Sequence, residues 1–426
     1  MESPPPDPPT DQPPLGRILV EPALLFGIAL LVRVLAATSL GGGAPFGPDG
    51  TGAEAAVHLG GHLYPLHIEL IDLFGSGRAL SVLAGALNCL LLWAWGRRQG
   101  LGGGGGWLAV TLPLLVYTSA LSAGDAPALS FALGGALLST AGRVGALLGG
   151  ALALASVAVK PVVLPALVLL LPSPYALLGL LLALPFAVPW IEPLTRPRPT
   201  GGLLGSWWVS TEGRPPEGLV AAAGMVMAGL RALAAAPLWT GVVLAPLALL
   251  TLPRRADRPP LTRLGAGAAL LGLFAVAALF GERLAPRYLT ASLAALLPFI
   301  GLPLRGARRS TAAALPLLWA SFALVTQLAL ERARQDPEAG VPLTWALPVP
   351  KVDAEALFDE CSTRGATAMR REAGELARSL PVGATVEVEH RVHGREGELT
   401  WPLRIQRPDL QIRVKQNGPA DPSIPR

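Results

Sequence analysis

From Ile18 to about Leu330 the chain is a succession of apolar runs, beginning near Ile18, Ala79, Trp107, Ala126, Val144, Val162, Tyr175, Ala235, Leu264, Tyr288 and Thr311. Each is close to the roughly 17–25 residues a helix needs to cross a bilayer, or somewhat shorter where neighbours would shelter it. The pattern predicts an all-α polytopic membrane protein with about eleven transmembrane helices and external loop helices. At 51% hydrophobic and 15% charged residues, with a mean hydropathy of +0.49, the 426-residue chain is too apolar for an ordinary soluble protein. The segment from Val144 to Trp190 is the least regular, because Pro161, Pro165, Pro172, Pro174, Pro185 and Pro189 divide it into three short runs. Proline is tolerated in such helices where neighbours satisfy the freed carbonyls.

Polar segments flank this domain. Residues 1–16, MESPPPDPPTDQPPLG, are proline-rich and lack the basic start of a signal peptide, so they read as a disordered cytoplasmic tail. Residues 17–330 form the membrane domain. Residues 331–426 are polar, with helical period over Val352–Leu380 and strand alternation over Thr385–Glu389 and parts of Leu399–Ile405 and Leu410–Val414. They read as a small external α+β domain. Cys89 lies in an apolar run and Cys361 in the polar tail, so neither a disulfide nor a cysteine metal motif is expected.

Charge placement orients the spans. With the N-terminus cytoplasmic, Arg97, Arg98, Arg143, the arginines at 254, 255, 258 and 263, and Arg305, Arg308 and Arg309 all fall inside, as the positive-inside rule asks. The net charge of +5 therefore reports topology rather than nucleic-acid binding, since these arginines punctuate apolar runs instead of lining one surface. Asp49, Asp125, Lys160, Arg283 and Arg287 then share the external side. Ionisable groups at a membrane boundary are candidates for function, and a carboxylate and cations ringing one mouth of a helical bundle suit an anionic, membrane-borne substrate.

Each candidate also has a plain structural reading. Asp49 precedes Gly50 and suits a turn; Asp125 suits a helix N-cap. Lys160 is one of three lysines in the chain, the others being Lys351 and Lys415. In a sequence that otherwise uses arginine, it points to a compact ammonium for phosphate, or to a snorkelling helix end. Arg283 and Arg287 stand where arginine is disfavoured, so they suit a specific anion, a lipid headgroup or Glu282. Tyr288 suits a hydrogen bond or an interfacial anchor. Glu54, His58 and His62 share a helical face that would hold a metal or, as the plainer reading, face water, with His67 one turn beyond. Trp207 and Trp208 suit sugar stacking or the membrane interface. Gly102–Gly106 lacks the residues of a phosphate-cradling loop and reads as a linker.

The order of these motifs resembles the GT-C superfamily of membrane glycosyltransferases, which includes protein O-mannosyltransferases and lipid A aminoarabinose transferases. Asp49, Ala56, Leu59, Gly60, Gly61, Tyr64 and Pro65 resemble that family's first external loop. Ser119 to Asp125 is similar to the acidic position heading its fourth span, and Lys160-Pro161 to the lysine closing a later one. Pro286-Arg287-Tyr288 resembles the start of a late span, and the helix, Leu380-Pro381, Gly383 and strand resemble its external tail. A second acidic residue usually stands beside the first-loop Asp; here Asp49 is followed by Gly50, and the nearest carboxylate is Glu54.

The resemblance implies a multi-pass plasma (inner) membrane enzyme with its C-terminal domain external or periplasmic. It would move a sugar, with inversion, from a polyprenyl-phosphate donor to a lipid, glycan or protein acceptor at the outer face. Asp49 would be the catalytic base; Lys160 and Arg287 would hold the phosphate. Asp125, Arg283, Tyr288 and Glu54 would complete the substrate site among membrane lipids. No cofactor is fixed, and a divalent metal is left open. A transporter or flippase of lipid-linked sugars, or a noncatalytic scaffold, are the alternative readings; one-sided charges and the lack of an internal repeat weigh against transport.

Overall fold

The structure, a computed structural model, describes residues 15–39, 65–120, 124–160, 163–167, 173–195, 267, 269–272, 289–300, 374–389, 407 and 409–415. Its helices are α1 Leu15–Ser39, α2 Pro65–Phe74, α3 Gly77–Arg98, α4 Gly104–Thr111, α5 Pro113–Ala120, α6 Asp125–Ser139, α7 Gly142–Val159, α8 Leu164–Leu167, α9 Pro174–Thr195 and α10 Thr290–Ile300. α1 begins at Leu15, inside the expected tail boundary. Among the described residues four helices are long and apolar enough to cross a membrane, or up to five if the α5–α6 pair, bent by 114°, counts as one span. The expected spans near Ala235 and Thr311 lie outside the described residues.

Helical period separates a packed face from a lipid face. In α1, Leu25, Ala29, Arg33 and Ala37 repeat every fourth residue and are buried, while Val20, Leu24, Ile28, Leu31 and Leu35 point outward. α9 likewise exposes Leu177, Leu181, Leu182 and Phe186. Large apolar side chains facing out along whole helices identify an integral membrane protein, because water would not tolerate such a surface.

Close backbone approach sets the packing. α6 and α7 form an antiparallel hairpin whose turn requires a positive φ at Gly142. A Cβ on Gly135 would lie 2.7 Å from the Gly149 carbonyl, and one on Gly149 would lie 2.6 Å from that of Gly135. α7 meets α9 in the same way, Gly150 against the Ala176 carbonyl and Gly179 against that of Leu147. Small residues at such crossings let helix backbones touch, which is how helices associate where lipid removes the hydrophobic drive. The expected linker at Gly102–Gly106 is corrected by the same effect: Gly104 to Gly106 are the first turn of α4. Gly105 lies so close to α10 that a Cβ would sit 2.6 Å from the Pro298 nitrogen.

Two ends of the bundle differ in charge. At one, Glu21 accepts from Trp93 Nε1 at 2.9 Å and pairs with Arg97 at 3.3 Å, Arg98 donates to the Thr140 carbonyl at 2.9 Å, and Arg143 lies over Tyr175. The other end carries the free ends of the α6–α7 hairpin.

A buried cation holds the break between α4 and α5. Pro113 has no N–H, so the carbonyl of Ala109, four residues earlier, loses its helical partner. Arg33 Nη2 donates to that carbonyl at 3.1 Å, and Nη1 to the Ala29 carbonyl at 3.2 Å. Arg33 is 1% exposed, inside the apolar interior. Backbone carbonyls are a known destination for charges at membrane depth.

In the tail, β1 Thr385–Glu389 pairs in parallel with β2 Gln411–Lys415, placing Glu387 opposite Arg413 and Glu389 opposite Lys415. Arg407 donates to the Ala377, Leu380 and Pro381 carbonyls, closing the helix over 374–379, and grips Asp409. Asp409 in turn accepts from Gly383 N–H at 2.8 Å. The Arg407 guanidinium, then this amide, hold the Asp409 carboxyl well below the usual carboxylate range. The expected run at Leu399–Ile405 and the helical stretch before residue 374 lie outside the described residues.

Arg33→Met is expected to lower the thermal midpoint of the detergent-purified protein by several degrees, through loss of charge-assisted hydrogen bonds worth about 2 kcal/mol. Leu24→Met, on the lipid face, is expected to leave it unchanged. An unaltered midpoint for the Arg33 variant would contradict its role.

Candidate functional site

The hairpin geometry creates the site. α6 has 15 residues and α7 has 18, about 22 and 27 Å at 1.5 Å per residue, so antiparallel packing brings the start of one to the end of the other. Asp125 is the first residue of α6; Lys160 is the C-cap of α7. Pro161 follows Lys160, which disfavours helical backbone there, and the lysine is extended at φ −163° and ψ 115°. Each charge complements its helix end, a carboxylate at the N-terminus and an ammonium at the C-terminus.

The two side chains meet. Lys160 Nζ lies 2.6 Å from Asp125 Oδ2, and the side chains are only 8% and 1% exposed. This corrects two plainer expectations. Gly124, without a side-chain cap bond, holds the N-cap position assigned to Asp125, and Asp125 turns to the lysine instead. Lys160 does not snorkel to a wet boundary but is buried with its carboxylate.

His67 stands beside the pair. It lies on α2, whose Leu66, Leu70 and Ile71 pack into the core, and it is fully buried rather than facing water as expected. A Cβ on Gly124 would lie 3.4 Å from His67 Nδ1 and equally close to the Val159 carbonyl. Burial, reinforced by the charge of Lys160 and opposed by Asp125, pushes the imidazole from 6.5 down to about 4, so it is neutral at pH 7. Among the described residues neither ring nitrogen has a hydrogen-bond partner, nor does Asp125 Oδ1.

A polar clamp fixes the first turn of α6 behind the carboxylate. Asn88 on α3 donates to the Ala126 carbonyl at 3.0 Å, and Ser130 donates to Asn88 Oδ1 at 2.8 Å. Asn88 and His67 were not singled out as site residues from the sequence. A lone Asn in an apolar run was the available signal for the first. The second was visible only as one more histidine in the first external loop. Asp49, Glu54, Arg283, Arg287 and Tyr288 lie outside the described residues, as do His58, His62, Trp207 and Trp208. Among the described residues no three His, Cys, Asp or Glu side chains gather as a metal site.

No protein-family model and no curated protein matches the chain. Among solved structures it is similar to ArnT from Cupriavidus metallidurans, a lipid A aminoarabinose transferase of GT-C type. The structure bound to undecaprenyl phosphate aligns with a TM-score of 0.49 and 16% identity, over 96% of this chain and 87% of that one. The apo structure aligns with a TM-score of 0.49 and 13% identity, over 95% and 87%.

The burial of the pair has a measurable consequence. Lys160→Ala alone leaves Asp125 without its counter-charge and is expected to cost about 3–5 kcal/mol. The double variant Lys160→Ala/Asp125→Ala, which buries no charge, is expected to melt at a higher temperature than Lys160→Ala. Additive losses in the double variant would contradict a coupled buried pair.

Proposed function

We propose that this chain is a GT-C-type membrane glycosyltransferase that transfers a sugar from a polyprenyl phosphate to an acceptor at the outer face of the plasma membrane. The observation that supports it best is a rare lysine, held buried by a carboxylate on the neighbouring helix, at the end of the bundle opposite Arg97, Arg98 and Arg143. An ammonium has three N–H donors, and Asp125 is the one partner of Lys160 among the described residues. A phosphate oxygen can take another donor without the pair being broken.

In this scheme Asp49 accepts the proton of the acceptor hydroxyl or amine as that atom attacks the anomeric carbon. The anomeric C–O bond breaks on the opposite side, its electron pair leaves with the phosphate, and the sugar is inverted. Lys160 and Arg287 stabilise the charge that develops on the departing phosphate. Asp125 aims Lys160, while Arg283, Tyr288 and Glu54 complete the wall around donor and acceptor. The N-terminus is cytoplasmic and the C-terminal domain external.

Asp49→Asn keeps size and turn preference but cannot take a proton. It is expected to slow release of polyprenyl phosphate from a matched donor and acceptor by about 10²–10⁴-fold while keeping donor affinity. Equal release by both forms would remove Asp49 from the mechanism, and no release by the parent across a broad donor and acceptor panel would contradict the transferase itself.

A further inference from the structure

The ion pair leaves His67 unexplained. Both nitrogens of the buried imidazole are unpartnered among the described residues, and each polar group left unsatisfied forgoes about 1–3 kcal/mol. A phenylalanine or leucine in the same place on α2, beside Leu66, Leu70 and Ile71, would avoid that loss. The polar ring is also not there to neutralise Asp125, whose counter-charge is Lys160. The ring lies against Gly124, the N-cap of α6, where a Cβ would sit 3.4 Å from Nδ1. The ring therefore stands at the mouth of the hairpin with a donor and an acceptor that are free among the described residues, next to a lysine and a carboxylate whose one partner among those residues is each other.

We infer that His67 is a further substrate-contacting residue of this site, donating a ring N–H to an oxygen of the lipid-linked phosphate while Lys160 supplies the charge. The inference rests on the glycosyltransferase reading and adds a residue to it. Its role is that of a neutral donor: burial and the neighbouring Lys160 ammonium keep the imidazole uncharged. A neutral N–H beside a cation adds direction to phosphate binding without the repulsion a second cation would bring to Lys160.

The test is binding of undecaprenyl phosphate to the purified full chain in nanodiscs, with dioleoyl phosphatidic acid as a second phosphomonoester lipid. His67→Phe is expected to weaken undecaprenyl phosphate binding about tenfold, equivalent to about 1.4 kcal/mol. His67→Gln, whose amide restores a donor, is expected to stay within about threefold of the parent, as a neutral hydrogen bond of about 1 kcal/mol allows. His67→Phe is expected to melt at or above the parent temperature, since it removes two unsatisfied polar atoms; a merely structural histidine would instead lose stability and keep its affinity. If Lys160→Ala loses binding while His67→Phe binds like the parent, the role of His67 is overturned and the phosphate site stands. If the parent binds neither lipid, the glycosyltransferase reading falls as well. Phosphatidic acid is expected to bind at least about tenfold more weakly than undecaprenyl phosphate; equal binding would assign the phosphate to bulk phospholipid and overturn the polyprenyl source.

Discussion

Asp125 and Lys160, 35 positions apart in the chain, meet at 2.6 Å inside an apolar bundle. Removing two charges from water costs several kcal/mol for each ion, and attraction between them recovers this only with close geometry. The close geometry comes from the hairpin. A glycine with positive φ at 142 turns the chain, the Gly135–Gly149 crossing brings the backbones into contact, and Asn88 fixes the first turn of α6 from α3. An apolar pair of similar volume is often as stable or more so, so stability alone does not account for the two charges.

Several buried polar groups elsewhere in the bundle serve the backbone. Arg33 answers the carbonyl that Pro113 frees, and Ser130 and Asn88 answer each other and the carbonyls beside them. In a medium without water these groups need partners within the protein. His67 departs from that pattern, with neither ring nitrogen paired among the described residues, and it lies beside the ion pair.

Several features were legible from residue order alone. Apolar runs located the long helices, alternation located β1 at Thr385–Glu389, and the scarcity of lysine picked out Lys160. Charge placement put Asp125 and Lys160 at one membrane face, and the structure brings the two together. What could not be read was contact between helices. Periodicity says which face of a helix is apolar but not which backbone will touch it, so Gly104–Gly106 looked like a linker and His67 looked wet. Arg33 lay within an apolar run, and its purpose depends on a proline 80 positions later in the chain. For Asp125, local preference favoured an N-cap, and a distant ammonium proved the stronger partner.

In the proposed function the Asp125–Lys160 pair binds the phosphate of the lipid-linked sugar. An experimental structure of the full chain in nanodiscs with undecaprenyl phosphate tests it most directly. The phosphate is expected at the mouth of the α6–α7 hairpin, with an oxygen within about 3 Å of Lys160 Nζ. A phosphate bound elsewhere, with the lysine and carboxylate undisturbed and no lipid oxygen near either, would contradict it.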